Sequence, residues 1–135
     1  MCYEQKQFFL IIMIILATDV SFPQDGPYSG TTIVRTGANS FNLTEIGTYQ
    51  VLFQVSVTEA AQLILTLNGA DLEYTVAGHA TGTSQMIGIA IVETTSVNSI
   101  LTVRNPAGNA SAITITPLAG GTRSVSAHLM ITRIM

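Results

Sequence analysis

The tightest constraint on this chain is the alternation between Gly47 and Val57. Tyr49, Val51, Phe53, Val55 and Val57 take one parity, and Gln50, Leu52, Gln54 and Ser56 take the other. Successive side chains of an extended strand point to opposite faces, so this pattern predicts a strand with one face in a core. Tyr49, Val51, Phe53 and Val55 are the expected core residues. A second signal follows at once: the runs 61–67 and 70–76 flank Asn68-Gly69, the pair that supplies the positive φ angles of a two-residue type I′ turn. The sequence therefore predicts a hairpin. Further strands are expected over 31–36, 40–43, 84–93, 99–104, 111–116 and 124–134, with turns at Asn105-Pro106-Ala107-Gly108-Asn109 and Leu118-Ala119-Gly120-Gly121. Eight or more short strands in one small domain read as all-β, an antiparallel two-sheet sandwich of jelly-roll type.

One strand does not alternate. Residues Met86 to Val92 are apolar at every position, with Ile87, Ile89 and Ile91 on one face and Met86, Ala90 and Val92 on the other. Ile100-Leu101 and Leu129-Met130-Ile131 break the alternation as well. A strand apolar on both faces is covered on both faces. In a two-layer sandwich the second cover comes from a long loop or from another subunit, and a symmetric oligomer is the expectation. Composition supports it: only 10 % of residues are charged, against about 25 % in ordinary soluble domains. Leu52, Ile87, Ile89, Ile91 and Met130 are the interface candidates, with the choice between the two sides of 86–92 left open by the sequence.

The rest of the composition works by exclusion. The net charge is −3 and the five Lys and Arg residues stand singly, so no basic patch suits nucleic acid. Cys2 is the only cysteine and closes neither a disulfide nor a zinc framework. There is no tryptophan and there are few Tyr and Phe residues, so exposed aromatic platforms for sugars are expected to be scarce. His79, in a loop-like stretch, and His128, in the last strand, have no Cys, Asp or Glu at ligand spacing. Asp71 and Glu73 read as a solvated hairpin edge in preference to a calcium site, for want of further oxygen ligands. No Gly-x-Ser-x-Gly elbow and no phosphate-cradling glycine loop occurs. The expectation is a protein that is not an enzyme, with no cofactor and no metal. Asn42-Leu43-Thr44 and Asn109-Ala110-Ser111 match the glycosylation sequon and read as chance matches.

Phe41-Asn42-Leu43, Gly47-x-Tyr49-x-Val51-x-Phe53, Leu67-Asn68-Gly69 and Ser126-Ala127-His128-Leu129 resemble the pattern of complement/tumour-necrosis-factor-like trimeric jelly rolls. Within that superfamily the stretches 18–27, 41–55, 103–108 and 116–122 are most similar to the C-terminal head domains of bacterial collagen-like surface glycoproteins, the BclA type of spore outer layers. The resemblance covers nearly everything from Thr18 onward. It implies a homotrimer, a structural role at a spore or cell surface, and neighbours among other surface-layer proteins. In that family the head caps a collagen stalk and sets its register, whereas no Gly-X-Y repeat occurs in this chain. The expectation is thus a stalkless head. Gly47 fits the motif physically, because a side chain where the strand begins would crowd neighbouring backbone. A rival reading, an adhesin or receptor-binding module, places contacts with a host protein or glycan in loops 77–83 and 105–110. Those loops are dominated by small residues and lack the aromatic or Arg anchors of tight binding sites.

The domain division follows from the resemblance: an apolar segment over 1–17 and the head over 18–135. The run Phe8–Ala17 is short of the roughly 20 residues a membrane helix needs. Its length suits a signal core, but Glu4 offsets Lys6 where a positive flank is expected. Its β-branched content suits a first strand reaching through 18–22. The segment is read as signal-like, interfacial or a divergent strand, and contact with a membrane is expected only through residues 8–17 where they are retained. The expected location is extracellular, at a spore or cell surface.

Overall fold

The computed structural model describes residues 5–6, 12–14, 17–80, 82, 84–108, 112–115, 120–122 and 126–135. Among the described residues, twelve strands form two antiparallel six-stranded sheets. The first contains β1 (Gln5–Lys6), β2 (Ile12–Ile14), β5 (Thr48–Val57), β9 (Ser84–Glu93), β11 (Ile113–Ile115) and β12 (Ser126–Arg133). Its backbone is β5, which pairs with β12 along one edge and with β9 along the other. β1 lies outside β12, and β11 joins the far end of β5 through Ile115↔Val57 and carries β2. The second sheet runs β3 (Ile33–Arg35), β4 (Phe41–Leu43), β10 (Ser99–Arg104), β6 (Ala61–Leu67), with β7 (Ala70–Asp71) and β8 (Ala77–His79) on the outer side of β6.

The parity of β5 places its side chains. Tyr49, Val51, Phe53, Val55 and Val57 are buried between the sheets, where they meet Leu63 and Leu65 of β6, Leu101 and Val103 of β10, and Phe41 and Leu43 of β4. β12 adds Leu129 and Ile131, and β9 adds Met86 and Val92. Each fully buried aliphatic or aromatic side chain contributes about 1.5–3 kcal/mol relative to exposure. The Tyr49 hydroxyl donates to the Glu45 carbonyl at 2.6 Å. Burial pushes its pKa up, which keeps the phenol a neutral donor. At the start of β5, a Cβ on Gly47 would collide with the Met135 carbonyl and the Arg133 side chain. At the turn after β6, Asn68 (φ 52°) and Gly69 (φ 83°) are both left-handed, as a type I′ turn requires.

Four expectations are corrected. The hairpin arm 70–76 is not one strand: β7 ends at Asp71, a 3-10 turn occupies Glu73–Thr75, and β8 begins at Ala77. Leu67 pairs with Ala70 but Leu63 pairs with Ala77, so the return arm carries three extra residues, one turn of 3-10 helix. Thr75 makes this possible: its hydroxyl accepts from the Leu65 N–H at 3.0 Å and donates to the Leu72 carbonyl at 2.7 Å. For the same reason Asp71 and Glu73 do not alternate along one strand, and His79 sits in β8 and not in a loop. Finally, residues 18–22 form no strand; a single bridge, Asp19↔Arg104, continues the β4 side of β10, with Val20 and Phe22 buried behind it. The Phe22 and Phe41 rings meet at 6.4 Å.

Elsewhere the predicted strands 84–93 and 99–104 have the observed bounds, and 31–36 and 40–43 shorten to β3 and β4. Residues 111, 116, 124 and 125 of the last two predicted strands lie outside the described residues, as do 118–119 of one turn, Asn109 of the other, the second sequon apart from its neighbours, and residues 8–11, 15 and 16 of the apolar run.

Candidate interaction surface

The side of β5 that faces away from the core is built on a three-by-three grid fixed by register. Met130 on β12, Leu52 on β5 and Ile89 on β9 form the middle row. Thr132, Gln50 and Ile91 form the row on one side, and His128, Gln54 and Ile87 the row on the other. With strands about 4.8 Å apart and same-face residues about 6.8 Å apart, the grid spans roughly 10 by 14 Å between outer Cα positions. No Asp, Glu, Lys or Arg stands in it.

Exposure follows apolarity in the wrong direction for a finished surface. Ile89 is 63 % exposed, Ile87 57 %, Ile91 45 % and Met130 44 %, while Leu52 is partly buried between them. The polar members lie at the corners and edges, with Gln50 and Thr132 exposed and Gln54 and His128 half-buried. No described loop covers the isoleucines. Met86 and Val92 of the same strand are buried on the opposite side, and Ala90 is partly buried there.

What holds β9 flat against β5 is a feature that the sequence reading passed over. Gly88 pairs with Phe53, and the Phe53 ring occupies the space where a Cβ of Gly88 would stand. A lone glycine inside an apolar strand, opposite an aromatic, is the signal that marks such a contact. The outer edge of β9 is flanked by β8 and the 3-10 turn. Tyr74 reaches across it, donating its hydroxyl to the Ile91 carbonyl at 2.8 Å, and both Tyr74 (66 %) and Val76 (44 %) remain exposed beside the grid.

Other chemistry is sparse among the described residues. No group of three or more His, Cys, Asp and Glu side chains converges, and no helix is long and apolar enough to cross a membrane. Asn42 of the first sequon lies in β4, half-buried, with its amide donating to Asn98 Oδ1 at 3.2 Å. Of the rival's loops, residues 77–79 are strand, and 81, 83, 109 and 110 lie outside the described residues. Glu59, in the turn between β5 and β6, accepts from the Thr114 N–H at 2.6 Å and from the Thr58 hydroxyl at 3.0 Å. Burial alone would raise its pKa; these hydrogen bonds outweigh it and hold the carboxyl below the usual range. Compared with known protein families and with curated proteins, the chain matches none.

Proposed function

We propose that this chain is a non-enzymatic structural head that assembles as a homotrimer through the outer face of β12, β5 and β9. The observation that carries the reading is the uncharged grid centred on Leu52, with four large aliphatic side chains 44–63 % exposed around it. Covering an exposed half of such a side chain contributes about 1 kcal/mol, so the patch supplies several kcal/mol per copy toward association. The adjoining ridge of Tyr74 and Val76 offers a second apolar surface. A patch on one copy meeting a ridge on the next is a heterologous contact, the kind that closes into a ring.

The jelly-roll reading is supported by the strand order, β1-β12-β5-β9 in one layer and β3-β4-β10-β6-β8 in the other, with successive long strands alternating between layers. The resemblance of 18–27, 41–55, 103–108 and 116–122 to heads of bacterial collagen-like surface glycoproteins directs the proposal to a cell or spore surface. The test is light scattering of the purified chain on a sizing column. A mass of three chains is expected, and a well-folded monomer at micromolar concentration sinks the proposal.

A further inference from the structure

We propose that Gln50 and Gln54 set the alignment of the assembled chains: the outer column of β5 stands at the three-fold axis, and each glutamine closes a ring of hydrogen bonds with its own copies. The inference rests on the trimer proposed above and adds the residues that select its register. With β5 at the axis, β9 and the Tyr74 ridge of one copy flank β12 of the next, the heterologous contact already described.

A position at a rotation axis meets itself. A carboxylate or an ammonium there faces its like, which is costly. A side chain with both a donor and an acceptor gives to one copy and takes from the next. The outward residues of β5 are, in order, Thr48, Gln50, Leu52, Gln54 and Ser56. Every one except Leu52 is uncharged and carries both functions. The ionisable positions that register places on this face stand on the flanking strands, His128 opposite Gln54 and Glu93 opposite Thr48. Gln50 is exposed and Gln54 half-buried. Among the described residues neither amide meets a hydrogen-bond partner in its own chain, so both functions stay available to a neighbour.

The aliphatic residues do not set the alignment by themselves. Ile87, Ile89 and Ile91 recur at every second position of β9, about 6.8 Å apart. Sliding one chain along the axis by that repeat returns isoleucine to an isoleucine position. The same slide sets a glutamine against Leu52 and buries an amide without a partner. A buried polar side chain selects one register in coiled coils in the same way, by penalising the slipped alternatives.

The test uses the full chain, with light scattering on a sizing column and circular dichroism to establish that each variant is folded. Gln50→Glu brings three carboxylates together at the axis. It is expected to run as a folded monomer at about pH 8 and to return to a trimer at about pH 5, because crowded carboxylates titrate high and the protonated form again donates and accepts. Wild type is expected to be trimeric at both. With wild type in excess at about pH 8, the variant is expected to enter mixed trimers by native mass spectrometry, since a lone carboxylate accepts from two glutamine amides. Gln50→Leu with Gln54→Leu is expected to stay associated and to show more than one set of isoleucine methyl NMR signals, where wild type shows one. A wild-type monomer overturns this inference together with the trimer. With wild type trimeric, the assignment of the glutamines alone is overturned by any of three results: Gln50→Glu keeping one mass at both pH values, no entry into mixed trimers, or a single set of methyl signals in the double variant.

Discussion

Ile64 and Ile89 both point outward from the sandwich, one from each layer, yet Ile64 is 1 % exposed and Ile89 63 %. Around Ile64 the chain closes its own surface. Thr66 and Thr102 share a hydrogen bond, Thr102 donates to Asp19 Oδ1 at 3.0 Å, and Arg104 pairs with the same oxygen at 2.8 Å. Segment 17–20 extends this sheet along β10 beyond the end of β4, with the Val20 N–H on the Val103 carbonyl and the Asn105 N–H on the Thr18 carbonyl. Around Ile89 no such cover stands among the described residues, only other apolar side chains and an uncharged rim. The difference separates the two layers: Ile64 is buried within the single chain, whereas Ile89 stands open among the described residues, the face through which association is proposed.

The comparison breaks most visibly at Ile89. A carboxylate there would be desolvated in the assembled state without a partner. Ile89→Asp is expected to convert trimer to folded monomer on a sizing column, with β-sheet circular dichroism unchanged. An unaltered trimer would show that the contact lies elsewhere.

One residue away the same strand faces inward, and the expectation inverts. Gly88→Ala forces a methyl group into the Phe53 ring, an overpacking that costs about 1–3 kcal/mol. Its thermal midpoint should fall at every protein concentration, whereas the Ile89 variant should lose mainly the part of stability that depends on concentration.

On the finished layer, Thr102→Val removes a hydroxyl that serves both Thr66 and Asp19. A loss of about 1–2 kcal/mol in chemical denaturation is expected, with no change in oligomer mass. A change in mass would contradict the division between the two layers.

The smallest effect belongs to neither face. Glu59 ties the β5–β6 turn to β11, and its carboxyl titrates below the usual range. A depressed folded pKa contributes stability above the unfolded value of about 4.3. That contribution is lost as pH falls through the folded value. Glu59→Gln should cost about 1 kcal/mol at neutral pH and flatten the acid limb of the stability profile below the unfolded pKa, leaving assembly at neutral pH intact.

How much of this was legible in the sequence depended on whether side-chain period carried the information. The facing of β5 was, because a period of two leaves no other arrangement for Tyr49, Val51, Phe53 and Val55. The doubly apolar character of 86–92 was also plain, although the sequence did not say which side met the core; Gly88 against Phe53 decides that. The break in the hairpin arm was not legible. Ala70 to Val76 reads as a strand, and only the three-dimensional placement of the Thr75 hydroxyl, standing in for a ladder partner of Leu65, explains the inserted turn. Residues 18–22 misled for a related reason: Val20 and Phe22 have strand parity, but β10 offers that segment only the short stretch beyond the end of β4.

The inserted turn also guards the free edge of its neighbouring sheet. β9 is ten residues long, rich in isoleucine, and lies at the edge of its sheet with Glu93 as its only charge. Such edges template further strands and seed fibrils, and proteins ordinarily blunt them with lysine, proline or a bulge. Here the blunting is done by a neighbour: the 3-10 turn swings Tyr74 over the edge and occupies the Ile91 carbonyl. The sheet thus carries an end-stop against sideways growth, while the broad face a quarter-turn away stays open. Under the proposed assembly, a newly made chain would thereby favour a finite contact through that face over endless growth at the edge.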